Sequence, residues 1–304
     1  MADGAEPAFR FNFGKEESDK IQEEQGAPEY NEPAAELVHR PQPGVAFYTE
    51  EVSIAESLAL VKGIISSDEA ANILSDKRVA SSDLVPGKYE GGFKLWECSL
   101  DLCKMLLQRY HVVPERVLSD PELASELQGK KVLELGCGHG LPGVLALMCG
   151  AEVHFQDYNQ EVIRRLTIPN VISNMERLPR SRSRPSARYF SGDWRLVGEH
   201  LTSKGYGGHY DLILSSETIY SVPAQERLLE CIKQLLQPPH GVALIASKRY
   251  YFGVGGGMKS FRSLVERDGI FEASIVAQVG DKASGNVREV LMLNFPAAIH
   301  PYFL

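Results

Sequence analysis

Residues 130–140 read KKVLELGCGHG, and the organisation of the chain turns on them. The run VLEL is apolar enough for a buried strand, and glycines at 136, 138 and 140 turn it sharply into the next segment. LPGVLALMCG (141–150) is an apolar helix whose first N–H groups face back toward that turn, where an anion or polar ligand can meet them. Strand, Gly-rich turn and helix form the opening unit of a ligand-binding α/β sheet. The same pattern also suits an ordinary strand–helix connection, so its weight depends on the rest of the chain.

The alternation continues downstream. AEVHFQDYN (151–159) is a second strand and NQEVIRRLTIPNVISNM (159–175) a second helix. RYFSGDW (188–194) and YDLILSSETIY (210–220) read as the third and fourth strands with their loops. AQERLLECIKQLLQ (224–237) is a helix, GVALIASK (241–248) a fifth strand and FRSLVERDG (261–269) a helix. Such alternation predicts an open, mostly parallel α/β sheet with helices on both faces. FEASIVAQV (271–279) and VREVLMLNF (287–295) then read as a hairpin, which inserts one antiparallel strand. A dehydrogenase sheet does not end this way. The pattern resembles the Rossmann-like seven-stranded sheet of S-adenosylmethionine-dependent methyltransferases.

Upstream, LWECSLDLCKMLLQRY (95–110) has helical periodicity and PELASELQ (121–128) adds a second helix. Residues 44–128 are therefore expected as a helical N-terminal extension packing on a 129–304 core. Residues 1–43 are acidic and Pro-rich and are expected as a disordered tail, broken only by FRFNF (9–13), either a docking strand or an aromatic cluster. The net charge of −8 belongs mostly to this tail: residues 1–36 hold ten acidic and three basic side chains, leaving 30 and 29 in the remainder. The five cysteines lack C-x-x-C spacing, which argues against zinc and disulfides and for a reducing compartment. No metal is expected. Neither a secretory signal nor a membrane span is legible in the sequence.

Three strand ends carry ligand-type residues. The G-x-G-x-G spacing at Gly136 and Gly138, with Glu134 two residues ahead, differs from the G-x-G-x-x-G of a dinucleotide fold. Asp157, 21 residues after Gly136, can accept ribose hydroxyls or cap the next helix. In SGDW (191–194) Asp193 suits an exocyclic amine and Trp194 a flat base, unless the segment is a turn with a core Trp. All three fall on the edge where open α/β sheets bind ligands, and together they imply an adenosyl ligand. On the fourth strand end, Ser215, Ser216, Glu217 and Tyr220 face the acceptor side, and no N-P-P-Y motif is present. KRYYFGVGGG (248–257) forms an aromatic, Gly-rich wall for a protein side chain or a surface turn. The five arginines of 177–188 read as a solvated loop, or as a contact for RNA or an import receptor.

The stretches YEGGFKLWECSLDL (89–102), VLELGCGHGLPG, VHFQDYN, TIPNV, YFSGDW, YDLILSSETIY and SKRYYFGVGGG together resemble the methyltransferase-like eighteen family of protein-histidine methyltransferases. The resemblance spans about residues 83–296. It implies an S-adenosylmethionine cofactor and methylation of a histidine ring nitrogen on a large-subunit ribosomal protein. It places the cofactor against Leu95, Trp96, Glu97, Cys98, Ser99, Gly136, Gln156, Asp157, Tyr158, Ser191, Gly192, Asp193, Trp194 and Ser215. His139, Pro142 and the tail AAIHPYFL depart from the family pattern. A monomer in cytoplasm and nucleus, nucleolus included, is the expected setting.

Methyl transfer from a sulfonium is an in-line displacement that needs alignment above all. Lysine, with a pKa of about 10.4, must first lose a proton, whereas imidazole near 6.5 is largely neutral at pH 7. A histidine acceptor therefore needs a group that holds one tautomer by accepting the other ring N–H. Glu217 is the expected group, with Tyr220 orienting it. Within YEGGFKLWECS, Gly91-Gly92 would hinge a lid, Trp96 would cover the cofactor, Glu97 would pair with its ammonium and Ser99 would cap a helix. Two alternatives remain: a lysine methyltransferase, and a non-catalytic cofactor-binding factor that joins pre-ribosomes.

Overall fold

The computed structural model describes residues 30–38, 47–119, 125–179, 184–251, 255–280 and 286–303. Its strands are β1 (Ala35–Leu37), β2 (Thr49–Ala55), β3 (Leu58–Gly63), β4 (Lys131–Leu135), β5 (Glu152–Asp157), β6 (Ala187–Ser191), β7 (Leu212–Ser216), β8 (Val242–Lys248), β9 (Glu272–Val279) and β10 (Arg288–Asn294). The main helices are α1 (Ser67–Leu74), α2 (Glu97–Arg109), α3 (Leu141–Met148), α4 (160–175, with a π-turn at Ile163–Thr167), α5 (Trp194–Leu201), α6 (Val222–Leu235) and α7 (Met258–Asp268).

Eight strands form one sheet in the order β1-β6-β5-β4-β7-β8-β10-β9. The segments from β4 onward supply the seven strands expected, with β10 antiparallel to both β8 and β9. β4 and β7 are buried almost throughout because helices cover both faces of the sheet. Leu102, Leu106, Leu141, Leu145 and Phe155 pack one face, and Val197, Leu201, Leu228, Ile232 and Phe261 pack the other. Parallel register places Leu135 beside both Gln156 and Ser215, and Asp157 beside Ser191. The strand ends that carry the ligand-type residues therefore lie side by side.

The eighth strand comes from the stretch whose composition reads as tail. β1 pairs antiparallel with β6, Ala35 opposite Ser191 and Leu37 opposite Tyr189. Tyr30, just ahead of it, is 5% exposed. A free sheet edge and one aromatic anchor order residues 30–38, which composition alone describes as part of a disordered acidic tail. The FRFNF motif lies outside the described residues.

The extension is less helical than its sequence suggests. β2 and β3 form a separate antiparallel hairpin. Two helix α4 side chains clamp it: Asn170 Oδ1 accepts from Gly63 N–H (2.7 Å), and Asn174 both accepts from Val61 N–H (2.9 Å) and donates to its carbonyl (2.7 Å). Of the helix expected at 121–128, residues 121–124 lie outside the described set and 126–129 form a turn. Helix α2 begins at Glu97 with Trp96 in the cap position, so Ser99 sits inside the helix and does not cap it.

Helix α3 crosses β4 and β5 so closely that a side chain at Gly143 has no space. A Cβ there would stand 2.5 Å from Glu134 Oε2 and 2.5 Å from the Phe155 ring, both buried. Gly143→Ala is expected to destabilise the fold by about 1–3 kcal/mol through overpacking, measured as a lower urea midpoint at unchanged slope.

Candidate active site

A cleft of about 730 Å³, its open mouth included, lies along the carboxyl ends of β4–β7 under residues 90–96. Asp157 closes β5 and is buried. Its Oδ2 accepts from Gly138 N–H (2.8 Å) and its Oδ1 from Asn159 N–H (3.1 Å). Burial pushes its carboxyl up to about 6, against the lowering effect of the Gly138, Asn159 and Tyr158 N–H groups. With one N–H on each oxygen, each keeps one lone pair, and the two together suit a pair of ribose hydroxyls.

The second acidic position is held differently. Asp193 caps helix α5 by accepting from Arg195 N–H (3.1 Å) and pairs with Arg227 at 2.9 Å. Trp194 Nε1 donates to Gln156 Oε1 (2.9 Å), which also takes Gly136 N–H (3.1 Å), and Gln156 Nε2 donates to the Gly192 carbonyl (2.8 Å). Gln156 is thus the bracket that ties the Gly-rich turn to the GDW loop. Tyr158, Trp194 and Ala224 also line the cleft, and the two aromatic rings offer flat apolar surface suited to a base.

The segment around Trp96 does close over the Gly-rich turn. A Cβ at Gly138, where φ is +50°, would meet the Gly92 carbonyl at 3.1 Å, and one at Gly92 would come within 2.8 Å of Val162. His139 Nε2 donates to the Phe93 carbonyl (3.0 Å), and burial lowers its pKa to about 4, so the ring is neutral. Trp96 Nε1 donates to the Gly91 carbonyl (3.0 Å). Lys94 bonds Asp83 (2.7 Å) and lies 4.7 Å from the Trp96 ring centre.

On the acceptor side Glu217 is the central group. It follows β7 in the left-handed region, with φ at 56°, and its side chain is buried. The Tyr251 hydroxyl donates to Oε2, the Cys98 thiol lies beside the carboxyl, and Oε1 has no hydrogen-bond partner among the described residues. Burial raises its pKa above the ordinary carboxylate range. Tyr220 packs its ring edge-on against Tyr251, the partner of Glu217. Its hydroxyl donates to Glu90, which also accepts from Gly87 N–H (2.7 Å), and burial pushes the Glu90 carboxyl up to about 7. This bond joins the loop after β7 to the Gly-Gly segment across the cleft.

Leu95, Trp96, Ser99, Gly136, Gly138, Asp157, Tyr158, Asp193, Trp194, Glu217 and Tyr220 line the cleft. Cys98, Glu134, Gln156, Ser191, Gly192 and Ser215 lie behind it. Glu134 Oε2 accepts from Gly143 N–H (2.8 Å), and burial pushes this carboxyl up to about 8. Ser215 Oγ donates to the Leu135 carbonyl (2.9 Å) and contacts Thr218 Oγ1 at 2.7 Å. Glu97 is turned away from the role expected of it, toward Arg288 (3.3 Å) and Asn286 (3.2 Å). Tyr30, Glu90, Cys137, His139, Ser216, Thr218, Ala224 and Arg227 also line the cleft, beyond the cofactor and catalytic residues expected from sequence. Glu90 stands within the Gly-Gly stretch, where its carboxyl is a visible signal; Tyr30 and Arg227 carry no local signal.

The Arg-rich stretch is anchored at both ends. Arg177 donates to the Ala59 carbonyl (2.7 Å), and Arg188 pairs with Glu36 at 2.7 Å and bonds Tyr206. Residues 180–183 lie outside the described set. Among the described residues no cluster suits a metal ion, and no helix is long and apolar enough to cross a membrane.

A family model described as Lysine methyltransferase matches residues 86–256. Histidine protein methyltransferase 1 homolog of Dictyostelium discoideum is 43% identical over 216 residues, covering 71% of this chain and 62% of that protein. The rat protein of the same name is 40% identical over 236 residues, covering 71% and 61%. The mouse protein EEF1A lysine methyltransferase 3 is 28% identical over 214 residues, covering 69% and 76%. The chain thus spans about three fifths of the Dictyostelium and rat relatives named for histidine.

Proposed function

The chain belongs to the lysine methyltransferase family matched by its residues 86–256, and within that family we propose that it transfers a methyl group from S-adenosylmethionine to a ring nitrogen of a protein histidine. When bound, the cofactor supplies an electrophilic methyl on a sulfonium centre. Asp157 would hold the ribose, with the base against Trp194, Tyr158 and Ala224, and Asp193 nearby. Glu90, Asp157, Asp193 and Glu217 outnumber Lys94 and Arg227 on the lining, which suits a cationic ligand.

Glu217 carries the choice of histidine. Its Oε1 is buried without a partner among the described residues, while Oε2 is fixed by Tyr251. Such an oxygen can accept one imidazole N–H and so leave the other ring nitrogen with its lone pair free to attack. As the ring gains the methyl and positive charge, the same oxygen can take the ring proton. A lysine acceptor would need its proton removed beforehand, at a cost a buried carboxyl with raised pKa meets more easily than an exposed one. The family description therefore keeps lysine as the second reading. The Dictyostelium and rat relatives named for histidine are 43% and 40% identical, against 28% for the mouse protein named for lysine.

We place the acceptor on a large-subunit ribosomal protein, with cytoplasm and nucleus as the compartments. The family resemblance supports this, and none of the five cysteines is in a disulfide, which suits a reducing compartment. The test uses the full chain, methyl-labelled cofactor and an extract from cells lacking their own histidine methyltransferase. Acid hydrolysis is expected to return the label as methylhistidine in one large-subunit band. Label in methyllysine would overturn the histidine assignment.

A further inference from the structure

We infer that residues 30–37 are part of the cofactor site, and that docking of this strap and binding of the cofactor are coupled. The inference rests on the cofactor reading above. It concerns a segment that lies wholly outside the 86–256 family match.

The GDW loop is shaped around the strap. Gly192 has φ at +123°, and a Cβ there would stand 2.6 Å from the Pro33 carbonyl oxygen and 2.8 Å from Ala34 Cα. Only a glycine lets the strap backbone pass so close. Asp193 N–H donates to the Glu32 carbonyl (2.9 Å), so the strap satisfies the amide of a residue that lines the cleft. Arg227 makes the same connection from helix α6. Its Nη1 donates to the Tyr30 carbonyl at 2.7 Å and to Asp193 Oδ1 at 2.9 Å.

Tyr30 itself reaches the cleft. It lines the same end as Tyr158, Trp194 and Ala224, and meets Tyr158 edge-on with ring centres 6.2 Å apart. Its hydroxyl bonds Ser221 Oγ at 3.1 Å, next to the loop that bears Tyr220. Tyr30 is thus a wall of the pocket assigned to the base, delivered from about 160 residues upstream of the loop that forms the rest. A base that contacts this wall interacts with the docked strap and not with a released one. Linkage then requires that the cofactor favours docking and that docking favours the cofactor, by the same factor.

The test uses the full chain with S-adenosylhomocysteine as probe. Saturating probe is expected to slow backbone deuterium exchange over residues 30–37 by about tenfold. Tyr30→Ala is expected to raise the calorimetric Kd about tenfold, as loss of a base-stacking ring does, while Tyr30→Phe stays within about threefold. The exchange measurement needs no variant, so a folding defect in Tyr30→Ala cannot mask the answer. Probe binding with unchanged strap exchange, or a Tyr30→Ala Kd within about twofold of the unmodified chain, overturns the inference and leaves the cofactor reading standing. No probe binding by the unmodified chain overturns both.

Discussion

Asp157→Ala is expected to abolish measurable binding of S-adenosylmethionine while the protein stays folded. Two hydrogen bonds from ribose hydroxyls to a charged acceptor contribute on the order of 1.5–3 kcal/mol each, so their loss weakens binding by at least about 100-fold. A second effect adds to this. Gly138 N–H loses its acceptor at 2.8 Å, and the Gly-rich turn loses the contact that fixes it against β5. The fold should not suffer in proportion, and the sign comes from linkage. The folded carboxyl titrates at about 6, above the ordinary value of 3.8. The native state therefore binds the proton more tightly than the unfolded chain, and stability falls as pH rises through that window. Above pH 6 the buried carboxylate is a cost to the free protein, and the alanine variant is relieved of it. Calorimetry with S-adenosylhomocysteine, run beside urea unfolding at pH 7.5, measures both effects. Unchanged affinity would remove the ribose assignment.

Glu217→Gln should leave cofactor affinity within a few-fold and lower turnover by about 10²–10⁴, the range for a positioned proton acceptor. Glutamine keeps the shape and can still take the Tyr251 hydroxyl, but it cannot accept a ring proton. The left-handed backbone at this position, φ 56°, holds the carboxyl where β7 ends and argues for a role beyond packing. A second signature separates chemistry from binding. Because burial raises the Glu217 pKa, its carboxylate form is lost as pH falls at a higher pH than for an exposed glutamate. Turnover of the unmodified chain should therefore fall on the acid side, and that limb should disappear or move in Glu217→Gln. Single-turnover assays across pH 5–9, with cofactor saturating, read both. Equal turnover in the variant would mean that the carboxyl only packs.

Much of this architecture is legible in the sequence, for local reasons. The apolar runs of β4, β5, β7 and β8 have strand length and end in turn-forming residues, so the order of elements follows from near neighbours. The hairpin of β9 and β10 is marked the same way and distinguishes this sheet from a dehydrogenase sheet. Asp157, Asp193 and Glu217 can be named because each stands at or just past the end of a legible strand. The departures have physical causes too. Nearness to Trp96 suggests roles for Glu97 and Ser99, but helix α2 starts at Glu97 and carries its side chain toward Arg288. Only three positions separate Tyr220 from Glu217, yet its hydroxyl finds Glu90 on the far side of the cleft.

From Gly129 onward the sequence by itself determined which segments are strands and helices and which strand ends carry ligand-type residues, because periodicity and turn chemistry act within a few residues. Upstream of it, β1, β2 and β3 were not legible this way. Tertiary structure alone decided what surrounds those ends. Tyr251 on Glu217, Glu90 on Tyr220, and Tyr30 with Arg227 on the GDW loop join segments 34 to 197 positions apart. Such contacts depend on how the helices and the N-terminal strap pack on the sheet. Packing is set by the fit of the whole core, and no spacing within one segment encodes it.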